Sequence, residues 1–172
     1  VFDVTGTTEN EITGTSTPAS TADLKWSGGE LTGFLVLNET TILPQFIAVE
    51  SLGGATNLAD LTNWPASTYC KVLRPFKYYL VAGGMTESST YYPYKVRWST
   101  AAVPGTLPAS WTATTSNDAG SVDLSANDGP SIDMVPFGNS LITYRARGTT
   151  ETRWIGGTDA SGRPLARMTP PA

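Results

Sequence analysis

Four aspartates, Asp118, Asp123, Asp128 and Asp133, recur every five residues and are the first candidates for chemistry in this chain. Two facing carboxylates suffice to cleave a glycosidic bond, and clustered carboxylates hold calcium. A step of five fits neither one face of a strand nor a calcium loop closed by a bidentate Glu. The spacing instead implies turn chemistry, with Asp118-Ala119-Gly120 and Asp128-Gly129 each making an Asx-type turn. Histidine is absent from the sequence, which removes Ser-His-Asp and Cys-His catalysis and imidazole-based zinc sites together. The single cysteine, Cys70, opens an apolar run and reads as a small buried hydrophobe. Gly28-Gly29, Gly53-Gly54, Gly83-Gly84 and Gly156-Gly157 lack the Lys-Ser/Thr or helix of a phosphate loop and read as hairpin turns. No catalytic, cofactor-binding or metal-ligating residue is assigned, and no enzyme activity is expected.

The five Trp and seven Tyr, above all Tyr91-Tyr92-Pro93-Tyr94, could stack on sugars. A glycan-binding or glycan-cleaving module would place these rings in solvent beside paired carboxylates, whereas packing between sheets would bury them. The second arrangement is the one expected. The formal net charge is −4 and the Lys and Arg are scattered, so no basic stripe exists to grip phosphates. No apolar run approaches the roughly 20 residues of a membrane span.

The elements that must position these residues are strands. Charged residues make up 15% of the chain, and Gly, Pro, Thr and Ser take up the difference, a composition that favours antiparallel all-β structure. Pro75-Phe76-Lys77-Tyr78-Tyr79-Leu80 and Pro136-Phe137-Gly138-Asn139-Ser140-Leu141 share one pattern, a Pro-Phe corner, a short turn and an apolar exit, which is a β-hairpin written twice. Phe34-Leu35-Val36-Leu37 is a weaker third relative. The basic-Trp pairs Lys25-Trp26, Arg97-Trp98 and Arg153-Trp154 accompany the three units at what read as equivalent strand positions. Such repetition predicts propeller-like blades in a partial ring, with a β-sandwich as the competing architecture.

Residues 1–24 read as one strand and a Thr/Ser-rich loop, 25–160 as the propeller-like β domain, and 161–172 as an irregular Pro-containing tail. A hairpin around Glu39-Thr40 and one helical turn over Leu58 to Trp64 are also expected. Three units leave a ring open, and the chain starts at Val1, so a segment of a longer polypeptide is expected.

Arg97-Trp98-Ser99, Pro104-Gly105, Pro108-x-x-Trp111, Asp118-Ala119-Gly120, Asp123-Leu124, Asp128-Gly129-Pro130-x-Ile132 and Gly138-Asn139-Ser140-Leu141-Ile142-x-Tyr144 resemble, in order and spacing, tail proteins of short-tailed double-stranded DNA bacteriophages. The likeness runs upstream through Gly33-x-Leu35-Val36-Leu37-Asn38, Pro44-Gln45, Trp64-Pro65 and Cys70-Lys71-x-Leu73-Arg74-x-Phe76-Lys77, and downstream to Ile155-Gly156-Gly157. It departs at Tyr144-Arg145-Ala146 and Thr150-Glu151. The resemblance implies a virion structural protein, the tail nozzle or hub. Such a protein forms a homo-oligomeric ring, a hexamer in that family, beside the adaptor, portal and tail fibres, and the genome passes through it without specific binding.

If the two Pro-Phe segments are equivalent hairpins in successive blades, Phe76 and Phe137 should both be buried. Replacing the four aspartates singly should affect folding rather than activity, with Asp128→Ala the most damaging, because it launches the last hairpin. Urea unfolding of the four variants checks the ranking, and an Asx-type bond is worth about 1 kcal/mol.

Overall fold

Apolar runs broken by turn residues give thirteen short strands and no helix beyond single 3-10 turns among the residues described. The computed structural model describes residues 1–5, 8–18, 25–54 and 56–154. The expected tail over 161–172 and the pair Gly156-Gly157 lie outside these. The chain is all-β, with four separate antiparallel sheets and no closed barrel.

A two-stranded hairpin, β1 (Phe2–Thr5) and β2 (Thr8–Glu11), comes first, where one strand and a loop were expected. Sheet I is the meander β3 (Ser27–Leu31), β4 (Phe34–Asn38), β5 (Gln45–Ala48) and β6 (Ala59–Asp60). The turn through Glu39-Thr40 joins β4 to β5 as expected. The helical turn expected over Leu58 to Trp64 is instead β6, because Asp60 and Ala59 pair with Gln45 and Phe46. Sheet II is β7 (Thr68–Phe76), β8 (Tyr79–Glu87), β9 (Thr90–Trp98) and β10 (Gly120–Asp123). Sheet III is β11 (Ser131–Phe137), β12 (Ser140–Arg145) and β13 (Thr149–Arg153).

Each sheet is a meander in chain order, and the sheets stack face to face. Ile12, Ile47 and Leu58 pack between the N-terminal hairpin and sheet I. Leu31, Val36, Leu73, Leu80 and Trp111 fill the space between sheets I and II. Phe76, Val81, Met134 and Leu141 fill that between II and III. In a two-sheet sandwich each sheet keeps one face in solvent, but β8 is buried through seven consecutive residues. The first strands β3, β7 and β11 run beside one another. Among the described residues this is a propeller-like fan with no further sheet at either end.

The repeated segments make the same hairpin. In both, Pro faces Leu across the ladder (Pro75 and Leu80, Pro136 and Leu141), and a two-residue loop follows with positive φ at its first residue, 56° at Lys77 and 60° at Gly138. That geometry suits the right-handed strand twist. Leu80 and Leu141 each point to the preceding sheet, while Phe76 points to the following one. The expectation that both Phe are buried fails: Phe76 is 3% exposed and Phe137 is 76% exposed. Sheet III covers Phe76, and among the described residues nothing covers Phe137.

Two further expectations are corrected. Gly28-Gly29 and Gly83-Gly84 are strand interiors rather than turns. A Cβ on Gly83 would lie 2.3 Å from the terminal methyl of Met134, so the Met134 side chain occupies the space that a side chain at 83 would take. The basic-Trp pairs are also not equivalent. Trp98 lies opposite Val81, Arg153 lies opposite Ser140, and Lys25-Trp26 precedes a first strand. Counting from the matched hairpins, Glu151 and not Arg153 or Trp154 stands in the place of Trp98.

Phe76→Ala should therefore destabilise the fold by about 3–5 kcal/mol, and Phe137→Ala by no more than about 0.5 kcal/mol. Denaturant unfolding at low protein concentration measures both.

Candidate functional site

Arg74 interrupts the apolar run of β7, and its guanidinium reaches both neighbouring first strands. It donates to the Gly28 carbonyl on β3 at 3.0 Å, to the Met134 carbonyl on β11 at 3.1 Å, and to both Asp133 oxygens at 2.9 and 3.2 Å. Planar, forked donors are what such a multi-strand bridge requires. Close by, Ser27 Oγ accepts from Leu73 N at 3.0 Å, and Asn38 Nδ2 donates to the Cys70 carbonyl at 3.2 Å. Side chains alone thus bind β3, β7 and β11 edge to edge.

A concavity of about 600 Å³ opens over this junction, lined by Lys25, Trp26, Thr40, Lys71, Arg74 and Asp133. Its size is within the usual range for small-molecule sites. It continues into a shallower groove past Thr40 and Lys71 to Tyr69, Thr86 and Tyr91. Arg74 is neutralised by Asp133. Neither Lys25 nor Lys71 has an ion-pair or hydrogen-bond partner among the described residues.

Tyr91 is 49% and Tyr92 40% exposed. The expected burial of the cluster between sheets is therefore overturned for Tyr91 and Tyr92, while Tyr94 is half-buried with the Arg145 guanidinium of sheet III over its ring at 6.0 Å. Burial, and then the neighbouring Tyr94, push the Tyr91 hydroxyl pKa up, so it remains protonated and able to donate. Glu87, the last residue of β8, is held by Lys95 at 2.7 Å and Arg97 at 3.1 Å. Lys95 also sits over the Tyr92 ring, 4.8 Å from its centroid. The groove therefore offers rings, hydroxyls and ammonium groups without a carboxylate pair.

The four aspartates are not brought together, and three serve separate tertiary contacts. Asp118 accepts from the Tyr79 hydroxyl at 2.7 Å and from Ala101 N at 3.3 Å. Burial first, and Asp118 second, push the Tyr79 pKa up. Asp128 pairs with Arg145 at 3.0 Å, and Arg145 also donates to the carbonyls of Gly129 and Ser125. Asp133 holds Arg74, while Asp123 lies at the sheet II edge opposite Lys95. The expected Asx turns at Asp118 and Asp128 are corrected accordingly. The bond of that type lies one residue earlier, where Asn117 Oδ1 accepts from Ala119 N at 3.2 Å.

Cys70 is 2% exposed, its thiol donates to Asn38 Oδ1 at 3.2 Å, and burial pushes its pKa up, which suppresses the reactive thiolate. No group of three or more metal-ligating side chains occurs among the described residues. Among the described residues no helix is long and apolar enough to cross a membrane. Sequence reasoning missed Arg74, Arg145 and Lys71. The available signal was a cation standing inside an apolar strand run, as in Val72-Leu73-Arg74-Pro75. No protein-family model matches this chain, and no curated protein matches it at a significant level.

Arg74→Ala should cost about 2–3 kcal/mol of stability, since it strands two carbonyls and a carboxylate, and Arg74→Lys should recover only part. Equilibrium urea unfolding decides this. Glu39 supplies a pH signature. Burial tends to raise its pKa, but hydrogen bonds from Thr41 and Thr40 outweigh that and hold the carboxyl below its usual range. A lowered folded-state pKa stabilises above the unfolded value of about 4.3 and is lost as pH falls through the folded one. The wild type should thus lose more stability on acidification than Glu39→Gln, which thermal melts across that pH range measure.

Proposed function

We propose that this chain is a structural segment of a short phage tail, part of the nozzle or hub ring through which the genome leaves the virion. The observation that supports it best is the fan itself. Three meanders stack face to face with their first strands side by side, which gives a wall with an inner edge rather than an enclosed catalytic site. The residues carrying the family resemblance are used structurally: Trp111 packs between sheets I and II, Asp118 holds Tyr79, and Asp128 holds Arg145. In this reading the working unit is a homo-oligomeric ring, a hexamer by resemblance. It meets the adaptor, portal and fibres, and it carries out no reaction.

A conduit must let phosphates pass. The net charge of −4 disfavours retention, and two lysines at the concavity with no partner among the described residues release few counterions. Duplex DNA should bind this chain weakly, with a salt slope of no more than about 2 per chain. A steep slope with tight binding would contradict the conduit reading. Mass spectrometry of purified virions and of isolated tails is the direct test. Peptides of this chain should be found in the tail fraction, and their absence from intact particles sinks the proposal.

The exposure of Tyr91 and Tyr92 favours a second reading, a tail module that binds host glycans without cutting them. Under it, Tyr91→Ala abolishes binding to host surface polysaccharide by an otherwise folded chain. Release of reducing ends by the wild type would move the assignment to a glycosidase.

A further inference from the structure

Lys71 is a half-buried cation left without a counter-charge. It stands inside β7 between the buried Cys70 and Val72, and its ammonium has no partner among the described residues. The other cations set into the sheets are held: Arg74 by Asp133, Lys95 and Arg97 by Glu87, Arg145 by Asp128. Burying part of a charge without a partner is costly. In a chain that pairs its other strand cations, the exception marks a place for an anion from outside.

The backbone around Lys71 is shaped to match. Gly84 falls between the ladder pairs Cys70 with Met85 and Val72 with Gly83, level with Lys71. Its φ is 63°, and a Cβ there would lie 3.0 Å from the Lys71 Cβ and 3.6 Å from the Tyr91 hydroxyl. Bare backbone at this point brings the lysine stem and the tyrosine hydroxyl over one spot. One row further, Tyr69, Thr86 and Tyr91 stand level across three strands and line the shallow groove. Lys71 and Thr40 border both this groove and the 600 Å³ concavity, where Lys25 and the 41% exposed Trp26 ring stand. Two carboxylates lie close by, and both are occupied. Asp133 holds Arg74, and Glu39, buried beside Thr40, accepts from Thr40 and Thr41 with its two oxygens. Among the described residues the lining therefore presents ammonium groups, hydroxyls and rings, with no carboxylate left to repel an anion.

We infer that Lys71, with Lys25, receives the carboxylate of an acidic saccharide of the uronate or sialic acid type, and that the next sugar ring lies in the groove along Tyr91. Such a ligand has one apolar ring face to stack on an indole such as Trp26, and hydroxyls to meet Thr40, Thr86 and the protonated Tyr91. Phosphodiester recognition relies instead on free guanidinium forks or nests of backbone N–H groups, and the one guanidinium in the lining is committed to Asp133. This rests on the glycan-binding reading above and adds to it the charge of the ligand and the residues that read that charge.

The test is calorimetric titration of the full chain at low salt with short oligosaccharides of galacturonate, hyaluronan and sialic acid. Methyl-esterified oligogalacturonate and dextran oligosaccharides serve as uncharged counterparts, and single-stranded oligothymidylate as the phosphate control. At least one carboxylated oligosaccharide should bind, and an uncharged counterpart should bind at least about 10-fold more weakly. Lys71→Gln keeps the aliphatic stem and should retain the wild-type urea unfolding curve while weakening acidic-saccharide binding by about 10-fold. Lys25 is exposed, so Lys25→Gln is an independent arm that does not disturb packing, and the double variant should lose binding. Equal binding of charged and uncharged sugars, or acidic-saccharide binding that the double variant leaves unchanged, overturns this inference while the glycan-binding reading stands. Binding of no saccharide at all overturns both. Oligothymidylate bound more tightly than every saccharide, and lost in Lys71→Gln, overturns the inference and assigns the lysines to nucleic acid.

Discussion

Everything in this fold hangs on the junction of three first strands that share no backbone ladder. Strands in one sheet satisfy one another's N–H and C=O groups, but β3, β7 and β11 belong to separate sheets. Their approach is set by side chains, chiefly the Arg74 guanidinium spanning Gly28, Met134 and Asp133. A cation in an apolar strand is costly unless it is paired and bonded, and here the fork of donors finds a partner on either side. Ser27 and Asn38 add the neutral half of the same junction. Given that hinge line, the sheets can only open outward as a fan, with the apolar side chains of facing sheets filling the wedge.

The buried arginine of sheet III repeats the device at a smaller scale. Arg145, with a side chain 1% exposed, gathers Asp128, Gly129 and Ser125 and so fixes the chain as it enters β11. These two arginines, with Asp118 on Tyr79, account for three of the four regularly spaced aspartates. Regular spacing in the chain became irregular placement in space because each Asp lies on a different stretch of connection or strand.

The all-β class and the doubled hairpin were legible because both are local. Pro-Phe, a two-residue loop and an apolar exit dictate the same ladder wherever they occur, as Pro75 with Leu80 and Pro136 with Leu141 demonstrate. Burial of the Phe was not legible, since it depends on whether another sheet follows. Gly83-Gly84 misled for a related reason. Glycine marks a turn when the chain must reverse, and a close approach when another surface must come near. Only the presence of Met134 across the interface separates the two cases. The Tyr91 to Tyr94 cluster was expected to pack between sheets, but which of its rings another element covers is a tertiary property that no local pattern states.

Because the strand ladders stay within each sheet while side chains, with a few loop bonds such as Gly105 N to the Thr32 carbonyl, join one sheet to the next, the molecule is stiff in one direction and compliant in another. The sheets behave as boards bound along a single spine, with Lys77 reaching Asn139 as a clasp between two loop tips at 2.8 Å. Changing the volume of an interface residue such as Met134 alters the angle between boards before it disturbs any strand. Curvature of the whole fan is thus a tunable quantity, adjustable by single core substitutions while the strand registers stay fixed.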